Sequence, residues 1–173
     1  MALNQGLSLD GLPKDVADRV KSGIRNPTVK QLSPGAKLYR FASSKYPPDS
    51  WAAGPWWVQQ KAFHRIVQET VQQPTEFGLG WAARRALAIQ QGFSAVDAVV
   101  EATVAETIYV FCGRGTKQYR EQAPNGIYVT WEGWPDIEQV FIPNISEGGK
   151  RTAMGQRALS IYRSCLITSY QWF

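Results

Sequence analysis

Residues 125–144 read NGIYVTWEGWPDIEQVFIPN, and two short β runs stand out in them. The first, 127–131, mixes β-branched and aromatic residues; the second, 139–142, is Gln-Val-Phe-Ile. Asn-Gly, Gly-Trp-Pro and Pro-Asn bound the runs, and such breakers end strands. Between the runs a loop carries Trp134, Asp136 and Glu138. A loop fixed by strands holds its side chains in defined places, which is where sites tend to form. The stretch therefore commits the C-terminal half to β structure and marks this loop as a candidate site.

Just upstream, 107–112 is a continuous apolar run of buried-strand type. A basic glycine turn, 113–117, and Gln118 follow it. Downstream, 147–150 reads as a flexible loop. The segment 158–173 is apolar at alternate and at helical positions together, so periodicity does not choose between helix and strand, although 168–173 is the more strand-like part.

The first strong strand is 37–42, where Leu38, Arg40 and Ala42 share one face and Tyr39 and Phe41 the other. It ends in Ser43-Ser44 and a Pro-Pro turn. An arginine at such a strand end suits a phosphate or an amide, and it equally suits a surface position or a structural ion pair. A loop dense in aromatics, 49–57, precedes a helix expected over 58–73, with Phe63, Ile66, Val67 and Val71 on its inner face. The Gly-Pro-Trp-Trp part reads either as a plug over the helix start or as a wall for a flat heterocycle. His64 reads as an ordinary helix residue. A second helix is expected over 81–91, and a third over 95–102 capped by Ser94. Residues 1–36 are polar, with a helical patch at 13–24, and read as an arm, a lead-in or the stub of a linker. The element order is strand, helices, then strands: an α+β arrangement in one domain over 37–173.

Composition narrows the function classes. Apolar residues make up 44% of the 173, and Trp, Tyr and Phe number seven each, which excludes a disordered chain. The net charge of +5 is spread along the chain, so a mixed solvated surface is expected rather than a basic patch. One histidine and two cysteines argue against a zinc site. Cys112 and Cys165 lie in apolar runs, which reads as two buried thiols of a reduced compartment or as one disulfide. No apolar run approaches the roughly 18 residues that span a bilayer, and no signal-peptide h-region opens the chain. A soluble protein is expected, cytoplasmic or delivered into a target cell without a cleaved signal peptide, with no membrane partner.

Three of these pieces stand in the order found in the ADP-ribosyltransferase-like superfamily. Leu38-Tyr39-Arg40 resembles its L-Y-R strand, residues 108–117 its strand and glycine turn, and Glu138-Gln139-Val140-Phe141-Ile142-Pro143 its final loop and strand. The resemblance covers about residues 37–143. It implies a split β-sheet core with a helical region in the N-terminal half. It further implies a bacterial toxin or effector that uses NAD as substrate and transfers ADP-ribose to a protein or nucleic acid, with a cognate immunity protein as a possible partner. Arg40 would hold the dinucleotide, with Tyr39, Ser43, Trp57 and Gln118 as further binding residues and Glu138 and Gln139 as the catalytic pair. No metal is implied.

Two departures bear on the chemistry. Transferases of the R-S-E type carry a glutamate directly before the final strand's first Val or Ile; here that place is Gln139, and Glu138 is displaced by one. On a strand a one-residue shift reverses the side chain, so the two do not face one pocket together. The Ser-Thr-Ser element is absent, leaving Ser43-Ser44 or the Gly-Pro-Trp-Trp loop for its role. Glutamine at the third position resembles NAD-glycohydrolase toxins of the tuberculosis necrotizing toxin type. An NAD glycohydrolase is thus the alternative to a transferase. Two non-catalytic readings stand beside them: a module that stacks single-stranded nucleic acid on its tryptophans, and a protein-binding subunit with Trp51, Trp56 and Trp57 at its interface.

Overall fold

The computed structural model describes residues 1–72, 78–90, 92–122 and 128–169. The chain begins with α1 (Lys14–Gly23) and β1 (Ile24–Leu32), followed by β2 (Lys37–Ala42), α2 (Pro48–Trp51) and β3 (Trp56–Gln59). Helices α3 (Gln60–Gln72) and α4 (Gly78–Leu87) come next, then β4 (Ala98–Val104), β5 (Ile108–Gly115), β6 (Gln118–Gln122) and β7 (Tyr128–Trp131). The remainder is β8 (Glu138–Phe141), β9 (Ser146–Glu147), β10 (Lys150–Arg151), α5 (Ala153–Ala158), β11 (Leu159–Leu166) and a 3-10 turn, Ile167–Ser169.

Seven strands form one antiparallel sheet in the order β1-β5-β8-β3-β2-β4-β11. Its two halves meet only through β3. Trp56 and Trp57 pair with Phe141 and Val140 of β8, whereas Val58 and Gln59 pair with Tyr39 and Leu38 of β2. The strand changes partner halfway along four residues, and the sheet parts on either side of it. The protein is thus α+β with a divided sheet, and the first β run of the opening stretch stands apart from it. β7 pairs with β6 in a separate ribbon, and Ile127 lies outside the described residues.

Side-chain alternation sends one face of the sheet into a single core containing Leu38, Trp57, Val100, Val110, Val140 and Ile142. The opposite face packs two separate clusters. Tyr39, Phe41 and Val58 meet Phe63, Ile66 and Ala83 of α3 and α4 over one half of the sheet. Val20 and Val16 of α1 meet Ile24, Phe111 and Phe141 over the other. The split and the gap between the helical clusters coincide, which leaves an open cleft above β3.

Several segments differ from the sequence expectation. The third helix expected over 95–102 is β4. This strand lies between β2 and β11 and is buried on both faces, so it shows no period of two, and its alanines read as helix formers. The helix expected from residue 58 starts at Gln60, because Val58 and Gln59 are in β3. The second helix ends at Leu87, where Ala88 turns left-handed at φ 54°. The ambiguous C-terminal segment is strand β11 through Leu166; residues 170–173 lie outside the described residues. The lead-in stretch 1–36 carries α1 and β1; β1 pairs with β5, and Leu3 bridges Ile108 and is buried in the core. Both cysteines are free thiols. Among the described residues no helix is long and apolar enough to cross a membrane, and no three acidic, His or Cys side chains cluster to hold a metal.

Candidate functional site

The cleft over the split measures about 590 Å³, and Tyr39, Arg40, Ser43, Trp57, Gln118 and Gln139 all border it. Glu138 does not. Gln139 points to the helical side of β8, and its Nε2 donates to the Leu87 carbonyl at the end of α4, 2.8 Å away. Only 7% of Gln139 is exposed, and this bond leaves the amide oxygen as the group it offers the cleft. Gly115 makes the arrangement possible, since a methyl there would overlap the Gln139 amide. Glu138, one residue earlier, turns to the opposite side, is exposed, and pairs with Lys30 of β1 at 3.6 Å.

Arg40 enters from the other face of the sheet. Its Nε donates to the Trp51 carbonyl (2.7 Å) and its Nη1 to the Trp56 carbonyl (2.9 Å), which fixes the guanidinium plane at the split. Gly54 lies against that plane, and any Cβ there would fall on the guanidinium. Burial, aided by the nearby Arg19 charge, lowers the Arg40 pKa to about 10. It is therefore a desolvated cation at neutral pH. Arg19, on α1, borders the same cleft, and among the described residues no carboxylate does. The cleft also meets a smaller one of about 370 Å³ at Arg19, Arg40 and Tyr46, again with no carboxylate among the described residues of its wall. Two cations that border one cleft suit an anion there.

The remaining sequence-expected residues divide by availability. Gln118 is half-buried, and its Nε2 donates to the carbonyls of Ser22 (2.9 Å) and Thr116 (3.1 Å). Its oxygen is left for a ligand. Ser43 is buried and its hydroxyl accepts from Lys45 N–H at 3.3 Å. Tyr39 is a core residue: its ring stacks on Phe63 at 4.0 Å, and its hydroxyl donates to Glu101 at 3.2 Å. Trp57 is 2% exposed, with its indole N–H on the Gly54 carbonyl, so it supports the cleft without presenting a ring face. The adjacent Trp56 is the half-buried tryptophan of the wall, held edge-on against Phe141. His64 is exposed on α3, away from the cleft.

Sequence reasoning missed Arg19, Tyr46 and the wall made by Leu87, Ala88, Ile89, Phe93 and Ser94, whereas Trp56 lies in the Gly-Pro-Trp-Trp part read as a possible wall. Arg19 is one of many charged residues on an amphipathic helix, and nothing local distinguishes it. The wall is the loop between α4 and β4, hidden by the reading of 95–102 as a helix. It is braced by the buried Arg84, which donates to the carbonyls of Ile89 (3.1 Å), Ser94 (2.7 Å) and Ala95 (3.2 Å). Val96 closes the loop at φ 53°, an unfavourable conformation for a β-branched residue and one that such bracing sustains.

No family model matches the chain, and no curated protein matches it. Among solved structures, the chain is similar to one from the structure of Tne2 in complex with Tni2, with 15% identity over 83% of this chain and 95% of that one and a TM-score of 0.45. It is also similar to one from the structure of Tse6 in complex with Tsi6, with 14% identity over 94% and 92% and a TM-score of 0.44.

Proposed function

We propose that the chain is an NAD glycohydrolase: it breaks the nicotinamide–ribose bond and gives the ribose carbon to water rather than to a macromolecule. The observation that carries this reading is the common cleft of Arg40 and Gln139, with Glu138 turned away onto the surface. A pyrophosphate meets Arg40 and Arg19 there, two cations that border the same cleft. Gln139, braced on Leu87, directs its amide oxygen at the ribose hydroxyls.

As the C1′–N bond breaks, its electron pair passes to the ring nitrogen and nicotinamide leaves neutral. Positive charge gathers on the sugar, and an oriented acceptor stabilises it. Water adds to C1′ and sheds its proton to solvent, giving ADP-ribose. Glu138, the carboxylate next to the position where transferases carry theirs, is paired with Lys30 on the surface, which supports water as the acceptor over a macromolecule. A chain that depletes NAD harms any cell holding it active, so a toxin or effector role belongs to the same proposal. An immunity protein that covers the cleft mouth is its expected partner.

The test is incubation with NAD labelled in the adenylate part, with and without cell extract. Label is expected in free ADP-ribose under both conditions, with nicotinamide released in equal amount. Label entering protein or nucleic acid would establish the transferase reading instead, and intact NAD would remove both.

A further inference from the structure

Phe93 is 70% exposed, unusual for a phenylalanine, yet it belongs to the cleft wall rather than to open surface. The three carbonyl bonds from Arg84 hold Ile89, Ser94 and Ala95 on either side of it, and Ser94 Oγ accepts the Val96 N–H at 3.1 Å. An aromatic ring that stays in solvent on a fixed support is ready to receive a flat partner at little entropic cost. Ile89 and Ala88 continue the apolar wall beneath it, and Tyr46, 53% exposed, stands on the cleft rim as a second ring.

Resting on the reading of the cleft as an NAD site, we infer that Phe93 stacks on the purine ring of the dinucleotide and sets the preference for a purine-bearing substrate. The dinucleotide has two flat bases, and the reacting one belongs beside Gln139, the buried amide whose oxygen meets the ribose. The other base, the purine, then faces the mouth, where Phe93 stands.

Calorimetric titration of the wild type, Phe93→Ala and Phe93→Trp with ADP-ribose and with nicotinamide mononucleotide tests this, since only ADP-ribose carries the purine. Loss of one stacked base corresponds to about tenfold in affinity. Phe93→Ala is expected to weaken ADP-ribose binding about tenfold and to leave the mononucleotide within about twofold, with Phe93→Trp restoring the loss. Equal weakening of both ligands, or of neither, overturns the inference; a ring that serves only a protein partner gives the latter. Nicotinamide release from NAD, measured on the same samples, separates the two claims. Phe93-dependent ADP-ribose binding without release sinks the catalytic reading alone. Release with Phe93-independent binding sinks the stacking alone, and a wild type that does not bind ADP-ribose overturns both.

Discussion

Arg40 carries its charge where water solvates it poorly, and among the described residues no acidic side chain pairs with it. Two backbone carbonyls and the bare Cα of Gly54 hold the guanidinium in one plane. The charge is nonetheless kept: with a pKa near 10, Arg40 stays protonated through the physiological range and releases its proton only as pH rises toward that value. Such a group gains from any anion that enters the cleft. Gly54→Ala is therefore expected to expel the guanidinium from its seat, break both carbonyl bonds and cost about 1–3 kcal/mol of stability by urea denaturation. Anion binding should fall with it, read as ADP-ribose affinity. A substituted protein with unchanged denaturation midpoint and affinity would show that the Arg40 position is incidental. At this scale the sequence was legible in part. Arg40 stood out because it interrupts an apolar face of a strand, and Gln139 because it stands where a glutamate is expected. Trp57 was chosen for its aromatic bulk, but burial is a tertiary property, and its neighbour Trp56 is the one that borders the cleft with surface to spare.

At the scale of elements, the loop between α4 and β4 makes one wall of the cleft, and Arg84 holds it from beneath without touching the cavity. Arg84→Ala should leave α4 in place, speed amide exchange from Ala88 to Val96, and weaken ADP-ribose binding through the loosened wall. Normal exchange there together with normal affinity would deny the loop its supporting role. This loop was the least legible part of the chain. β4 is a central strand buried on both faces, so its alternation vanishes and Ala-Val-Val-Glu-Ala reads as a helix. β1 was missed for the opposite reason. It is an edge strand buried only at its two ends, with a register shift between Arg25 and Thr28, and its sequence is as polar as a linker. The strands that were read well, β2, β5 and β8, each have a core face and a marked boundary. β11 has the period of two, but the exposed Tyr162 and Leu166 and the inward Arg163, paired with Glu101 at 3.0 Å, blur it.

For the whole molecule, the organising feature is a sheet that divides at one four-residue strand and a helical layer that divides above the same place. Among the described residues the acidic side chains lie outside the resulting cleft, several of them in exposed pairs with lysine or arginine such as Lys117–Glu132 and Arg65–Asp136. The described wall of the cleft holds two arginines, two amides and aromatic rims. The α+β class was readable from the order of periodic segments, whereas the gap depends on which helix covers which half of the sheet, and no local pattern records that. The register question posed by residues 138 and 139 is likewise answered only once β8 is seated between β5 and β3. It also supplies the most direct test. Nicotinamide release from NAD should be compared for the wild type, Gln139→Ala and Glu138→Ala, with folding checked by circular dichroism. Removal of Gln139 should lower turnover by about a hundredfold or more, the scale of losing one oriented polar group at a developing charge, while removal of the exposed Glu138 should leave it within about twofold. Turnover that depends on Glu138 and is indifferent to Gln139 would contradict the account.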